Sequence, residues 1–74
     1  MATLEEAEAA RVAHQDRFGA MGAHAIAVDR MLDGTGYELV VHFSQTPPDD
    51  IPRSVVVTSA GKAATVPVRT RRTG

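Results

Sequence analysis

The sequence predicts a small α+β domain, in which one N-terminal helix packs on one face of a three- to four-stranded antiparallel sheet. The chain opens with an alanine-rich segment that carries a helix-start signal, and the later segments alternate apolar and polar residues with the period of strands. A length of 74 residues suits one domain, residues 1–74, with a thin core. Because such domains are marginally stable, a partner or a second copy that covers more surface would stabilise it.

The first segment predicts a helix over about residues 3–19. Thr3 and Glu6 have the spacing of a capping box, and Gly19 and Gly22 mark the end of the helix. Large apolar residues are sparse in this segment. We therefore expect the helix to pack closely on the sheet through its alanines.

Four segments predict strands, at about residues 24–32, 37–45, 54–59 and 63–69. The stretch DGTG between the first two supplies the glycines that a tight hairpin needs. The second strand alternates most regularly. Its core-facing residues are Tyr37, Leu39, Val41 and Phe43. Its other face, mixed enough to be either solvated or an interface, contains Glu38, Val40, His42 and Ser44.

Prolines shape the second half of the chain. In the stretch TPPDDIPRSV, residues 46–55, they end the hairpin and hold the connection to the third strand extended. A stiff docking loop is the alternative interpretation of this stretch. Pro67 cannot donate a backbone hydrogen bond, so we expect the last strand to lie at an edge or to be only partly paired. Residues 70–74 predict a frayed basic tail.

Composition restricts the setting of the protein. The chain has no cysteine, which excludes a disulfide framework, a thiolate metal site and a cysteine nucleophile. Its acidic start lacks the pattern of a secretory signal, and no segment approaches the roughly 20 apolar residues of a membrane span. We predict a cytoplasmic protein that makes no contact with membranes.

Charge is distributed unevenly along the chain. All nine acidic residues lie between Glu5 and Asp50. The basic residues that follow them are Arg53, Lys62, Arg69, Arg71 and Arg72. Either the two ends attract one another in the fold, or the basic end faces an acidic partner. A solvated basic surface beside an acidic helix is the plainer interpretation.

Side chains that could carry out chemistry form no recognised motif. His14, His24 and His42 fall on a helix, at the start of a strand and on the outward face of another strand, so we do not expect them to converge. No serine lies in a nucleophile-elbow motif such as GxSxG. We predict no cofactor, no metal site and no enzymatic activity, and a small enzyme or metal protein built on the histidines is a third class of hypothesis.

The function that these patterns favour is a non-catalytic protein-interaction module that uses its exposed sheet face, its last strand and its basic tail. A protein partner or a homo-oligomer fits this hypothesis. The candidate partner-binding residues are Val40, His42, Arg53, Val68, Arg69, Arg71 and Arg72. The alternative is a nucleic-acid-binding accessory protein that uses the basic C-terminal part, including Lys62.

The run AIAVDRMLDGTGYELVVHFSQTPPDDIPRSV, residues 25–55, followed by TVPVR, residues 65–69, resembles the small N-terminal modules found beside bacterial trypsin-like serine protease domains. Alanines at 25 and 27 depart from the glycine-rich first strand of such modules. The resemblance covers roughly two-thirds of the chain and is one of pattern alone. It implies an accessory or inhibitor-like role, in which the sheet docks on an enzyme and residues 68–72 form a tail near its cleft.

Overall fold

The computed structural model describes residues 2–72, which form one helix and four strands. The elements are α1 (Leu4–Ala20), β1 (Ala23–Arg30), β2 (Tyr37–Phe43), β3 (Ser54–Ser59) and β4 (Lys62–Arg72). The strands form a single sheet in the order β1-β2-β4-β3, and α1 packs across all four of them. The predicted α+β class, with one helix on one face of a sheet, is confirmed.

The sheet is mixed and not purely antiparallel as predicted. β1 pairs antiparallel with β2, and β3 pairs antiparallel with β4. β2 and β4, however, pair in parallel. The cause is the proline-rich crossing, which carries the chain from the end of β2 past the position of β4 to the far edge, so that β4 returns between β2 and β3.

Helix α1 begins and packs as the sequence predicts. The Thr3 hydroxyl accepts a hydrogen bond from the Glu6 N–H, and the Glu6 carboxylate accepts one from the Thr3 N–H, which completes the capping box. Ala7 and Ala10 have no exposed surface, so the helix backbone lies close to the sheet. Gly22, with φ +103°, then turns the chain directly into β1.

The core lies between α1 and one side of the sheet. Leu39 and Val41 of β2 are fully buried there, together with Val66 of β4 and Phe18 of the helix. Burying each of these side chains stabilises the fold by about 1.5–3 kcal/mol. The predicted core face of β2 is therefore confirmed.

β4 lies inside the sheet, so the predicted edge position is wrong. Residues 62–67 pair with β3, and residues 68–72 pair with β2, so each half is paired along one side only, as the alternative prediction allowed. The Val68 N–H donates to the Arg53 carbonyl at 2.8 Å on the β3 side. Successive backbone N–H groups of a strand point to opposite neighbours, so the N–H that Pro67 lacks would point towards β2. The pairing of β4 with β2 begins only at the next residue, Val68.

The predicted tail is also corrected, because residues 70–72 belong to β4 and pair with Val41, His42 and Phe43 of β2. Residues 73 and 74 lie outside the described residues. The basic residues near the end of the chain are therefore placed in the middle of the sheet.

Candidate functional site on the open sheet face

One side of the sheet is turned away from α1, and we call it the open face. Its residues alternate with the core residues along each strand. They stand opposite one another in rows across β1, β2 and β4. The rows are Asp29 and Glu38; Ala27, Val40 and Arg69; and Ala25, His42 and Arg71.

An ion pair between a buried carboxylate, Glu38, and a partly exposed guanidinium, Arg69, lies on the open face. The Arg69 guanidinium lies 3.2 Å from the Glu38 carboxylate, whose side chain is only 7% exposed, whereas the Arg69 side chain is 38% exposed. The Arg69 Nε is buried, and within residues 2–72 it has no hydrogen-bond acceptor. A carboxylate taken out of water needs its cation, so this pair holds both side chains in place.

Val40 lies beside this pair and is 2% exposed, although α1, the helix described within residues 2–72, packs on the other side of the sheet. It belongs to the open face and not to the core cluster around α1. Its row neighbours are Ala27 and Arg69, and the aliphatic stem of an arginine can cover a valine. The side chains of the open face therefore bury their own centre.

Three groups that can carry positive charge meet at one end of the open face, and we call them the cationic corner: His24, His42 and Arg71. His42 and Arg71 stand opposite each other on β2 and β4. The His24 and His42 rings lie 6.3 Å apart between centroids. The expectation that the histidines would not converge is wrong for this pair.

A β-bulge in β1 brings His24 to this position. Ala23 pairs with Phe43 and Ala25 with His42, so His24 and Ala25 together oppose His42. In a regular strand His24 would share the face of Ile26, towards the helix; the extra residue turns it towards His42. Sequence reasoning missed this convergence because the bulge depends on the β1–β2 register. His14 lies elsewhere, with its Nε2 3.3 Å from the Val56 carbonyl of β3.

The opposite end of the open face is apolar. Met31 and Leu32, in the turn after β1, line a shallow cavity of about 230 Å³ together with Asp33 and the Glu38–Arg69 pair. Leu32 is 92% exposed. Hydrogen bonds from Thr35, the hydroxyl first and the backbone N–H second, hold the pKa of the Asp33 carboxyl below its ordinary value.

The residues that the sequence singles out for binding do not all share this surface. Four lie on the open face: Val40, His42, Arg69 and Arg71. Val68 lies on the helix side, where it packs against the core, and Arg72 shares that side by alternation. Arg53 precedes β3 at the end of the crossing.

The basic residues do not form one patch. Lys62 and Arg72 stand at opposite ends of β4, about 30 Å apart along an extended strand of that length. Arg69, between them, is already paired with Glu38. Only Arg71 adds an arginine charge to the cationic corner.

Neither a metal centre nor a membrane span is found in the described part of the chain. Among residues 2–72, no three histidine, aspartate or glutamate side chains converge closely enough to hold a metal ion. The one helix in this range is too short and too polar to cross a bilayer.

Comparison with known proteins gives no match: no family model, no curated protein and no solved structure is significantly similar to this chain.

Proposed function

We propose that this protein is a non-catalytic protein-interaction module and that the open face is its binding surface. The observation that carries the proposal is the self-buried centre of that face, where Val40 is 2% exposed and the Glu38 side chain 7% exposed, although no helix or strand among residues 2–72 packs over them. A surface whose side chains are already held in place loses little conformational entropy when it binds. This preorganisation favours recognition of a partner over a merely solvated face.

The two ends of the open face support the same proposal. Protein interfaces combine an apolar anchor with a polar, charged rim. Leu32, at 92% exposure, is suited to be the anchor, and the cationic corner lies at the other end of the strands. A homo-oligomer fits this surface as well as a different protein does, since an isologous contact uses the same patch twice.

A protein partner is favoured over nucleic acid because of where the aromatic residues lie. Single-stranded nucleic acids are bound by stacking bases on exposed aromatic side chains. Phe18 and Phe43 are buried on the helix side, and Tyr37 packs against the same core. The cytoplasmic location and the accessory or inhibitor-like role stay predictions.

Site-specific photo-crosslinking tests the proposal. A benzophenone amino acid is placed at Ala27, exposed on the open face, or at Ala13, exposed on the helix, and each protein is irradiated in native lysate. We expect protein adducts from position 27 only, and fewer adducts when Leu32→Ser is added. An adduct of twice the 7.9 kDa chain mass would identify a second copy as the partner.

Two outcomes would contradict the proposal. Equal adducts from both positions, or none from position 27, would mean that the open face is a solvated surface. Adducts that disappear after nuclease treatment would assign the face to nucleic acid.

A further inference from the structure

We infer that the outer edge of β1 pairs with the same edge of a second copy of this chain, so that two sheets join into one across a two-fold axis at Ala27. The inference goes beyond the proposed function, because it concerns the main-chain groups at one edge of the sheet and not the side chains of the open face. It assigns this edge one partner, another molecule of the same protein.

β1 is an edge strand, and its outward main-chain groups belong to alternate residues. The Met31 N–H donates to the Gly36 carbonyl across the hairpin at 2.8 Å, so residues 25, 27 and 29 also bond towards β2. The residues whose N–H and C=O groups point away from the sheet are therefore Ile26, Val28 and Arg30. In the described part of the chain, the outward groups of Ile26 and Val28 have no hydrogen-bond partner.

The unprotected part of this edge is short, because both of its ends are blocked. The Asp29 carboxylate accepts a hydrogen bond from the outward Arg30 N–H at 2.8 Å. At the other end, the β-bulge at His24 and Ala25 interrupts the regular strand. Between them, residues 25–28 read Ala-Ile-Ala-Val, with neither a proline nor a charge to prevent pairing.

The opposite edge of the sheet, formed by β3, is obstructed at its middle. The Arg53 carbonyl accepts from the Val68 N–H of β4, so by alternation the main-chain groups of Val56 point outward. The Nε2 of His14, on α1, lies 3.3 Å from the Val56 carbonyl, which an added strand would need. Of the two edges described in residues 2–72, β1 is thus the accessible one. Pairing through one edge alone closes as a dimer and does not continue as a filament.

A second copy fits this edge in an antiparallel register centred on Ala27. Ile26 then stands opposite Val28 of the second copy, and Val28 opposite its Ile26. Each of these pairs exchanges two hydrogen bonds between the outward groups. Ile26 and Val28 lie on the helix side, where they pack against the core, so the pairing extends an apolar row. Ala27 is exposed on the open face and is small enough to lie against its own copy.

Charge also favours the antiparallel arrangement. Asp29 of one copy stands beside Ala25 of the other, whose row continues through His42 to Arg71. The acidic end of one open face therefore adjoins the end of the other that carries Arg71. In a parallel pair in register, the two Asp29 carboxylates would stand side by side, and like charges opposite one another destabilise a sheet.

Helix α1 adds exposed apolar surface next to this edge. Gln15 lines a groove together with residues 23–26 of β1. Val12, at 59% exposure, lies one turn before Gln15 on the same flank of the helix. In an antiparallel pair each side chain keeps its face of the sheet, so both helices lie on one side of the joined sheet with these flanks towards one another.

Exchange of charge at Ala27 tests the two-fold axis. Analytical ultracentrifugation of the full chain between about 10 µM and 1 mM should show a reversible dimer. Ala27→Lys and Ala27→Glu should each weaken the dimer at least about fivefold, because like charges meet at the axis, and an equimolar mixture of the two should restore it. Ala13→Lys and Ala13→Glu, at an exposed position of α1, are the controls and should leave the association unchanged.

Proline at an outward N–H tests the main-chain hydrogen bonds. Val28→Pro removes a donor that β2 does not use and should abolish the dimer. Thr58→Pro removes an outward donor of β3 and should leave the dimer intact. A dispersed amide spectrum shows that each variant is folded. If Val28→Pro does not fold, hydrogen exchange of the parent chain decides: the Ile26 and Val28 amides should exchange more slowly at the higher concentration, and the Thr58 amide at an unchanged rate.

The outcomes separate this inference from the proposed function. A parent chain that stays monomeric at about 1 mM, Ala27 variants that associate like the parent, or equal sensitivity to Val28→Pro and Thr58→Pro would overturn the edge pairing. None of these results affects the open face, which is supported by adducts with other proteins. Conversely, a dimer restored by the mixed Ala27 variants, without such adducts, would keep the edge pairing and remove the proposed function. An adduct of double chain mass from position 27 supports the open face only if it persists in Val28→Pro.

Discussion

Ala60 adopts a left-handed backbone conformation, with φ +53°, in the turn between β3 and β4. It precedes Gly61, with φ +77°, and two successive positive φ angles are typical of the two-residue hairpin turns that prefer Asn-Gly. We expect Ala60→Asn to raise the free energy of unfolding by about 1 kcal/mol, because alanine is strained there and asparagine is not. Urea denaturation followed by circular dichroism measures this.

A matched control is Ala63→Asn, at an exposed strand position in the same hairpin. Asparagine is depleted in strands, so this change should bring no gain. The explanation by backbone strain would be rejected if both variants, or neither, stabilised the protein.

Asp33 offers a test of local hydrogen bonding. The Thr35 hydroxyl lies 2.6 Å from its carboxylate and the Thr35 N–H nitrogen 3.0 Å from it, and both lower its pKa. The pKa of the Asp33 carboxyl is lower in the folded protein than in the unfolded chain. Its hydrogen bonds therefore stabilise the fold at any pH above the pKa of the unfolded chain, and this stabilisation is lost as the pH falls through the pKa of the folded protein. We expect Thr35→Val to raise the Asp33 pKa only part of the way to its ordinary value, because the N–H remains. Carboxyl ¹³C shifts across pH 2–6 measure this; an unchanged pKa would contradict it.

The Glu38–Arg69 ion pair is expected to contribute to the free energy of unfolding. We expect Arg69→Met to lower the free energy of unfolding by about 2 kcal/mol, since Glu38 keeps a buried charge without its cation. The value is below that for a fully buried pair because the Arg69 side chain is 38% exposed. The double variant Glu38→Leu/Arg69→Met should recover much of the loss, and urea denaturation of both proteins checks this. A single variant as stable as the parent would show that the pair contributes nothing.

Among the secondary-structure elements, β4 has the most consequence because it joins both halves of the sheet. A chain that ends at Val68 removes the residues that pair with β2 from Val40 to Phe43. We expect this truncated protein to lose its cooperative unfolding transition and its dispersed amide spectrum. A chain that ends at Arg72 is the control and should keep both. A folded truncated protein would mean that the parallel pairing is dispensable.

Local interactions explain which elements the sequence could predict. The capping box at Thr3 and the alternation of Leu39 and Val41 act within a few residues, so they determine the helix start and the buried face wherever the strand lies. Strand order depends on pairings between distant segments, and the parallel contact of β2 with β4 leaves no local pattern. Pro67 led to the wrong prediction of an edge strand because a missing N–H disrupts only the pairing with the strand towards which it would point. On that side, pairing with β2 starts one residue later, at Val68.

The candidate site was predicted only in part, for a related reason. Alternation along β2 placed His42 on the open face correctly. The partners of His42, however, come from a bulge in β1 and from a strand that is not its neighbour in the chain. The burial of Glu38 likewise depends on Arg69, which lies 31 residues later in the sequence.

At the scale of the whole molecule, the uneven charge of the sequence is partly resolved by the fold. The acidic first part and the basic last part meet where β4 lies beside β2, in the Glu38–Arg69 pair. Arg71 stands on the same face without an acidic residue opposite it in the register. The positive charge of Arg71 therefore stands at one end of that face, away from the Glu38–Arg69 pair.

The central position of β4 also governs when the protein can finish folding during its synthesis. α1 and the β1–β2 hairpin are synthesised before β4, but the edge of β2 that faces β4 has no partner until residues 68–72 are available. Until then the nascent chain exposes a row of unpaired amide and carbonyl groups beside Leu39 and Val41, which is a surface that neighbouring chains can join. A chaperone that covers this edge would be displaced when residues 68–72 pair with β2.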